Sequence, residues 1–519
     1  MTNLTAEQRL LGRENANRAL GMSRRDWLAA AVAAPAMGAY YFGYKNGLGD
    51  KPPVKAAIIG TGDEGCQAMI RFHNRDYMNF IGFCDIRPSQ QERARKEFTN
   101  HKQYTEGDVK AIKQYQNKEE MYADPDVEVV VIALPLWLHA PVAIEAMKAG
   151  KHVFTEKLMA HSIAECKEMC RVARETNKLL AVGHQRHYSA LYDNANFLLN
   201  NGVLGDVRHI RALWHRNNAQ PRVQKDKAGN PVYDTTTGLP QYMHDEKGNL
   251  IYQDSWKRIP PDADKNIDYA ALGYKSLDEL INWRLYSRTG AGLMAELGSH
   301  QLDACSIFLG KRHPIAVTGV GGTYFYKDGR EADDHVFTMF EFPGSDEKDR
   351  IVVTYSSINT NSFDGYGEQV MGSKGTMIVA GEKEILLYKE AGAATLSKTT
   401  SVTVETQNKK PVLETSPSTA GPSAATSIGG LATADPSRGY REELEHFAYC
   451  IRHGDASNYH ADAEHQPRCR GEVALADAVI ALTTNIAMHQ NRRIEFDPKW
   501  FDYAADDTPD GSTVVANRG

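Results

Sequence analysis

An α/β fold is predicted, with a parallel sheet at the front of the chain and an α+β part behind it. Three observations carry this. Between Val54 and Val182, short apolar runs alternate with helical stretches of about ten residues or more, the mark of βαβ units. The first run is followed by Gly60, Gly62 and Gly65 in G-x-G-x-x-G spacing. After Pro314 the pattern turns to strand-like alternation joined by polar turns.

The first run, Val54 to Ile59, reads as a buried parallel strand. Gly60 permits a tight strand-to-helix turn. Gly62 lets a pyrophosphate approach the backbone, and Gly65 lets helix and strand pack closely. Asp63 and Glu64 stand between these glycines, where the helix starts and its N–H groups can meet an anion. A second apolar run, Phe80 to Cys84, ends in Asp85, 20 residues past Gly65, where a carboxylate can accept from ribose hydroxyls. Together these predict a Rossmann dinucleotide-binding domain over residues 54–184. Asp85 favours NAD, because a carboxylate repels a 2′-phosphate. Arg87 could pair with that phosphate, so NADP stays possible. Further strands are expected at Glu128–Ala133, Lys151–Thr155 and Leu179–Val182. Helices are expected at Pro88–Phe98, Ala140–Ala149 and Ser162–Thr176.

The chain has 519 residues, 42% hydrophobic and 24% charged, enough for two or more domains with real cores. A net charge of -6 gives no electrostatic case for a nucleic-acid partner. The seven cysteines are odd in number and show no zinc spacing. They read as packing residues, and neither a disulfide scaffold nor a metal is expected.

Residues 1–53 read as an export signal and linker. Arg24 and Arg25 precede a mildly apolar, alanine-rich stretch, Ala29 to Tyr44. This resembles a twin-arginine export signal, with Trp27 where that pattern usually has Phe. Such a route carries already folded protein, which suits an enzyme that binds its cofactor before leaving the cytoplasm. The expected location is therefore periplasmic or otherwise extracytoplasmic, with the export machinery as a partner. Ala34-Pro35-Ala36 offers a cleavage site, and Tyr40 to Tyr44 offers an uncleaved membrane tether instead.

The segment Ala133 to Ala160 resembles the Gfo/Idh/MocA oxidoreductase family. Its matching residues are Pro135, His139, Ala149-Gly150-Lys151-His152-Val153 and Glu156-Lys157. Gly183 to Tyr188, Gly205-Asp206-Val207 and Met294 to Asp303 are similar to the family's later segments. Two departures stand out. Leu158 replaces the proline that usually follows the lysine, and Glu296 replaces the usual aspartate four residues before His300. The resemblance implies an NAD(P)-dependent oxidoreductase acting on a secondary hydroxyl of a sugar or polyol. It adds Pro135, His139 and Glu156 to the cofactor site.

Oxidising a secondary alcohol needs a nicotinamide over the carbinol carbon, a proton acceptor, and groups that fix orientation. His300 is the expected proton acceptor. Lys157, just past a strand end, could steady the developing alkoxide. Glu296 could pair with Lys157 or bind a neighbouring hydroxyl. Asp303 reads as structural. His187, Tyr188, Trp283 and Arg284 are candidate substrate contacts, since a sugar pairs hydroxyls with an apolar ring face. Taken without the resemblance, a lysine at a strand end such as Lys157 is usually a solvated charge and a lone histidine such as His300 often caps a helix, while Trp283 is equally a core residue.

The substrate domain is expected over residues 185–440. A polar insertion, 215–280, contains two short echoes around Asn230 and Asn249, and it could cover the cleft or reach a neighbouring subunit. Strands are expected at Val207–Trp214, Ala316–Tyr324, Asp334–Phe342, Arg350–Ile358 and within Glu368–Ala380. The resemblance implies that they form a mostly antiparallel open sheet whose exposed face makes a homo-oligomer. Residues 397–437 read as irregular, 441–519 as C-terminal helices, and the tail after Tyr503 as loose. Two other functions fit the same motifs. One is an NAD-dependent glycoside hydrolase acting by transient oxidation and elimination. The other is a non-catalytic member that kept the fold.

Overall fold

The computed structural model describes residues 4–19, 44, 47–226, 230–346, 348–390, 403–407, 410–414 and 438–513. After helix α1 (Ala6–Ala19) the chain builds the predicted parallel sheet from β1 (Val54–Ile59), β2 (Met78–Cys84), β3 (Lys113–Gln114), β4 (Val129–Ile132), β5 (His152–Glu156) and β6 (Leu180–Gly183). The order is β3-β2-β1-β4-β5-β6, with every neighbouring pair parallel. Direction of winding reverses between β1 and β4. Their carboxyl ends therefore part, leaving the crevice in which open α/β sheets bind ligands. Helices α2 (Pro88–Asn100), α3 (His139–Lys148) and α4 (Ile163–Glu175) cover the sheet. Helix α4 starts on a capping box, in which Ser162 accepts from the Glu165 N–H and the Glu165 carboxylate accepts from the Ser162 N–H. Such a cap contributes about 1 kcal/mol.

After α5 (Ala190–Asn200) comes the second sheet: β7 (Val207–His215), β8 (Ala316–Gly322), β9 (His335–Pro343), β10 (Arg350–Ile358), β11 (Tyr366–Gly372), β12 (Gly375–Ala380), β13 (Glu384–Lys389) and β14 (Ile494–Glu495). The order is β13-β12-β11-β7-β10-β9-β8-β14. All neighbours are antiparallel except β7 with β10, so the sheet is open and mostly antiparallel. Period-two alternation decides its faces. In β9, Val336, Phe340 and Phe342 point inward, while Phe337 and Met339 are exposed. The inward face packs on α6 (Ser299–Phe308) and α8 (Gly471–His489), while α7 (Tyr440–His453) joins the core of the first domain.

Helix α8 is long and apolar enough to cross a membrane, by length and composition. It is mostly buried here, packed against α4, α6 and β8. All seven cysteines are free and buried, as their apolar settings predict.

Tertiary contacts alter several expectations. Helix α1 is not a detached leader, because Arg9 and Arg13 each pair with Glu384 at 2.7 Å, and Asn15 donates to the Leu387 carbonyl. The paired arginines at 24 and 25, and the apolar stretch up to residue 43, lie outside the described residues. Tyr44, the end of that stretch, is buried and donates to Glu445. The start of the tail after Tyr503 is anchored rather than loose. Lys167 donates to the carbonyls of Ala505 and Asp507, and Arg171 pairs with Asp506 at 2.6 Å. Most of segment 397–437 lies outside the described residues, but Thr403–Gln407 and Lys410–Glu414 pair as an antiparallel hairpin. In the insertion the two echoes share one contact. Asn230 N–H donates to Asp226 and Asn249 N–H donates to Asp245.

Candidate active site

The crevice between β1 and β4 opens into a cavity of about 780 Å³ that both domains line. At one end of it lie the glycines that follow β1. Gly60 takes φ +89°, and a Cβ there would meet the Ala133 carbonyl at 2.3 Å. At Gly65 a Cβ would strike the Gly60 carbonyl at 2.1 Å, whereas at Gly62 it would meet nothing within 4 Å. Gly62 thus leaves the backbone open to the cavity, as a cradle for a pyrophosphate requires. Asp85, at the end of β2, accepts from Thr61 N–H at 2.7 Å and from Arg87 N–H at 2.8 Å. Burial still raises its pKa, more than these bonds lower it. The residues present fit a bound dinucleotide.

Two expected cofactor residues are engaged by the insertion. The Arg87 guanidinium pairs with the buried Asp264 at 2.9 Å, and Ser89 donates to the same carboxylate. Asp63 pairs with Arg93 at 2.8 Å and with Arg258. Burial opposes the charge of Asp63, but Arg258 and Arg93 outweigh it and hold the carboxyl below its ordinary range. Glu64 lines the cavity beside them.

At the other end, Lys157, Glu296 and His300 line one wall region together with Trp283 and Arg284. The Lys157 ammonium donates to the Glu296 main-chain carbonyl at 2.6 Å. The Glu296 carboxylate instead accepts from Arg284 at 2.9 Å. Arg284 also lies over the Trp283 ring, 4.2 Å from its centroid. Glu296 stands in a π-helical turn, Met294–Gly298, that runs directly into α6 and its second residue, His300. Burial opposes the charge of Glu296, yet Arg284 and then Lys157 hold its carboxyl below the usual range. Burial lowers the Lys157 pKa against the pull of Glu296. The His300 ring is buried beside Trp214, and burial followed by the Lys157 charge keeps its pKa well below the ordinary value. A neutral imidazole beside an ammonium is an arrangement able to accept a proton from a bound hydroxyl and to stabilise the oxygen left behind.

Glu156, Pro135 and His139 also reach the cavity. Burial, then the Glu64 charge, pushes Glu156 up to about 8, and its Oε1 finds no partner among the described residues. His139 bridges the loops after β4 and β5, with its two ring nitrogens 2.8 Å from the Leu134 carbonyl and 2.9 Å from that of Leu158. The Lys157–Leu158 peptide is cis.

His187 and Tyr188 are placed elsewhere. The 3₁₀ turn Gln185–Tyr188 presents Gln185 to the cavity and turns the next residues inward. His187 lies 2.7 Å from an Asp303 oxygen, and Tyr188 is buried against His446. Sequence reasoning missed Arg216, whose guanidinium lies over the Trp214 and Trp256 rings and makes no ion pair among the described residues. A basic residue one position past the apolar strand that carries Trp214 was the available signal. Trp256 and Arg258 came from an insertion with no periodicity to place them.

A parallel 321456 sheet, a glycine cradle and a cavity wall where Lys157 of the first domain meets Glu296 and His300 of the second define the class: a two-domain nucleotide-dependent oxidoreductase fold. The model for an oxidoreductase family with an NAD-binding Rossmann fold matches residues 54–184, and that for the GFO/IDH/MocA C-terminal domain matches residues 269–378. Over these two stretches the chain has the Gfo/Idh/MocA oxidoreductase fold. An uncharacterised oxidoreductase of Schizosaccharomyces pombe is 24% identical over 263 residues, 51% of this chain and 53% of that protein. Inositol 2-dehydrogenase of Salmonella typhimurium is 25% identical over 193 residues, 37% of this chain and 54% of that protein. The chain thus spans about half the length of these curated relatives. The crystal structure of aldose-aldose oxidoreductase from Caulobacter crescentus has TM-score 0.54 at 18% identity, covering 86% of this chain and all of that one, a likeness of fold.

Proposed function

We propose that the protein is an NAD(P)-dependent oxidoreductase that moves hydride between a nicotinamide and a secondary hydroxyl of a sugar or polyol. The observation that carries this is the convergence of Lys157, Glu296 and His300 on the cavity whose far end is lined by Gly62 and Asp85. When bound, the cofactor supplies the hydride acceptor. The chain's own residues do the rest. Gly60, Gly62, Gly65 and Asp85 hold the nucleotide, with Pro135, His139 and Glu156 shaping the nicotinamide end. His300 takes the hydroxyl proton at an imidazole nitrogen. Lys157, with donors given to the Glu296 and Ala295 carbonyls, keeps one for the oxygen that becomes an alkoxide. Glu296, fixed by Arg284, accepts from a neighbouring hydroxyl, and Trp283 offers a ring face. The inositol dehydrogenase relative supports a polyol as the class of substrate. NAD is the preferred cofactor, since Asp85 is unopposed while Arg87 is tied to Asp264.

The test is a screen of sugars and polyols with NAD, reading nicotinamide absorbance. Net NADH formation with a free sugar supports the assignment. Glycoside cleavage with no net NADH would mean redox-assisted hydrolysis instead, and silence on every substrate with cofactor bound would mean a non-catalytic member.

The proposal extends to the protein's setting. A twin-arginine signal at Arg24-Arg25 takes the folded, cofactor-loaded chain across the inner membrane. The outer face of the second sheet, exposing Val320, Phe337 and Met339, pairs with a second copy. Light scattering of the purified protein tests the latter, and a monomer at all concentrations would reject it.

A further inference from the structure

Beside the cavity, five buried polar atoms find no hydrogen-bond partner among the described residues, short of a proton shared between Asp303 and Asp477. They are both ring nitrogens of His184, Oδ2 of Asp303 and both carboxylate oxygens of Asp477. Each of the three residues is 1% exposed. One ligand atom from each can be chosen such that all lie within 4.8 Å of one another. Folded proteins seldom leave one buried acceptor unpaired, and so many at one point call for an occupant. The residues come from three separate elements. His184 follows β6, Asp303 lies on α6, and Asp477 lies on α8.

The chemistry of the set narrows the occupant. One imidazole nitrogen and two carboxylates form a donor set of borderline hardness, suited to zinc, cobalt or manganese. Two carboxylates, one of them shared with the Lys311 ammonium, offset most of a dication's charge. His184 Nδ1 stands 3.9 Å from Asp303 Oδ2. That is too long for a hydrogen bond but near the roughly 3.3–3.6 Å edge between ligands bound about 2.0–2.2 Å from a tetrahedral ion. The second oxygen of Asp303 is already anchored, by His187 at 2.7 Å and Lys311 at 3.0 Å. Outer partners of this kind aim a ligating carboxylate inward. The Lys311 side chain is 35% exposed, but its ammonium reaches inward to Asp303 and already meets part of the carboxylate charge. A water would serve the hydrogen bonds but leave two carboxylates facing each other. A proton shared by the carboxylates would leave His184 unpaired.

We infer that His184, Asp303 and Asp477 hold one divalent transition-metal ion, which ties the end of the nucleotide-binding sheet to α6 and α8. The ion takes no part in hydride transfer. It braces α6 one turn beyond His300. No sequence motif announces it, because the ligands stand at 184, 303 and 477.

Full-length protein, stripped with chelator and dialysed, is titrated with Co²⁺ and with Zn²⁺. Expected are one ion per chain by elemental analysis, a visible cobalt d–d spectrum and a higher Tm. Asp477→Asn keeps the shape of the side chain and should lower metal affinity by about tenfold or more, with NAD affinity unchanged. Anomalous diffraction from cobalt-loaded wild-type crystals should place the ion between the three residues, and this arm needs no variant to fold. Wild-type protein that binds neither metal, an ion found elsewhere, or an Asp477→Asn protein with wild-type affinity overturns the inference and leaves a shared proton as the occupant.

Discussion

The Lys157 ammonium donates to the main-chain carbonyl of Glu296, at 2.6 Å, and not to its carboxylate, which Arg284 holds at 2.9 Å. The two charges of the site are thereby kept on separate duties. An ammonium has three donors, and the carbonyls of Glu296 and, at 3.4 Å, Ala295 occupy two without neutralising the charge. Lys157 can still meet a substrate oxygen. The Arg284 clamp in turn keeps Glu296 from collapsing onto Lys157, even though glutamate reaches one methylene further than the aspartate usual in the family.

Lys157→Met should keep much of the side-chain volume while removing the charge, and His300→Asn should keep a polar group while removing the base. Each should slow single-turnover hydride transfer by roughly 10² or more. Dissociation constants for NAD should stay within about tenfold, because neither residue holds the nucleotide. The double variant should lose less than the product of the two single effects, since both groups serve one proton transfer. Wild-type transfer rates in both single variants would reject the assignment.

The pH profile follows from the same pair. His300 accepts a proton only when neutral, and its pKa lies well below 6.5. Oxidation should therefore hold its rate as pH falls to 6.5 and decline only below that, as the imidazole protonates. Lys157 must be charged, and its pKa lies below 10.5. The alkaline decline should accordingly begin below pH 10.5, as the ammonium is lost. His300→Asn should abolish the acid limb and spare the alkaline one. A stopped-flow profile in which the variant keeps the acid limb would assign that limb to another group.

Asp264→Asn should weaken the hold on Arg87 and leave its guanidinium able to meet a 2′-phosphate. The ratio of NADP to NAD dissociation constants should fall by about tenfold, with NAD affinity itself little changed. Isothermal titration with each cofactor checks this. An unaltered ratio would show that Asp85 alone sets the preference.

Replacing Arg24 and Arg25 by lysine should strand folded protein in the cytoplasm, because the export route reads the arginine pair. Cell fractionation distinguishes the outcomes. Equal amounts of mutant and parent beyond the inner membrane would make the pair incidental.

Local chemistry was legible in the chain itself. The turn at Gly60, the open backbone at Gly62, the close packing at Gly65 and the carboxylate at Asp85 each depend on near neighbours. So does the alternation that separates Val336 from Phe337, and spacing alone determined these features. What lay beyond spacing was decided by the tertiary structure. His187 and Tyr188 share a sequence run with Gln185, yet a 3₁₀ turn puts only Gln185 in the cavity. Arg87 looked available until Asp264, 177 residues away, claimed it. The tail after Tyr503 is polar enough to be loose, but Lys167 and Arg171 on α4 capture its carbonyls. The physical reason is common to all three. Composition and period report how a segment treats water, whereas a charged or polar side chain chooses its partner by geometry, and only the packed chain brings the partners together.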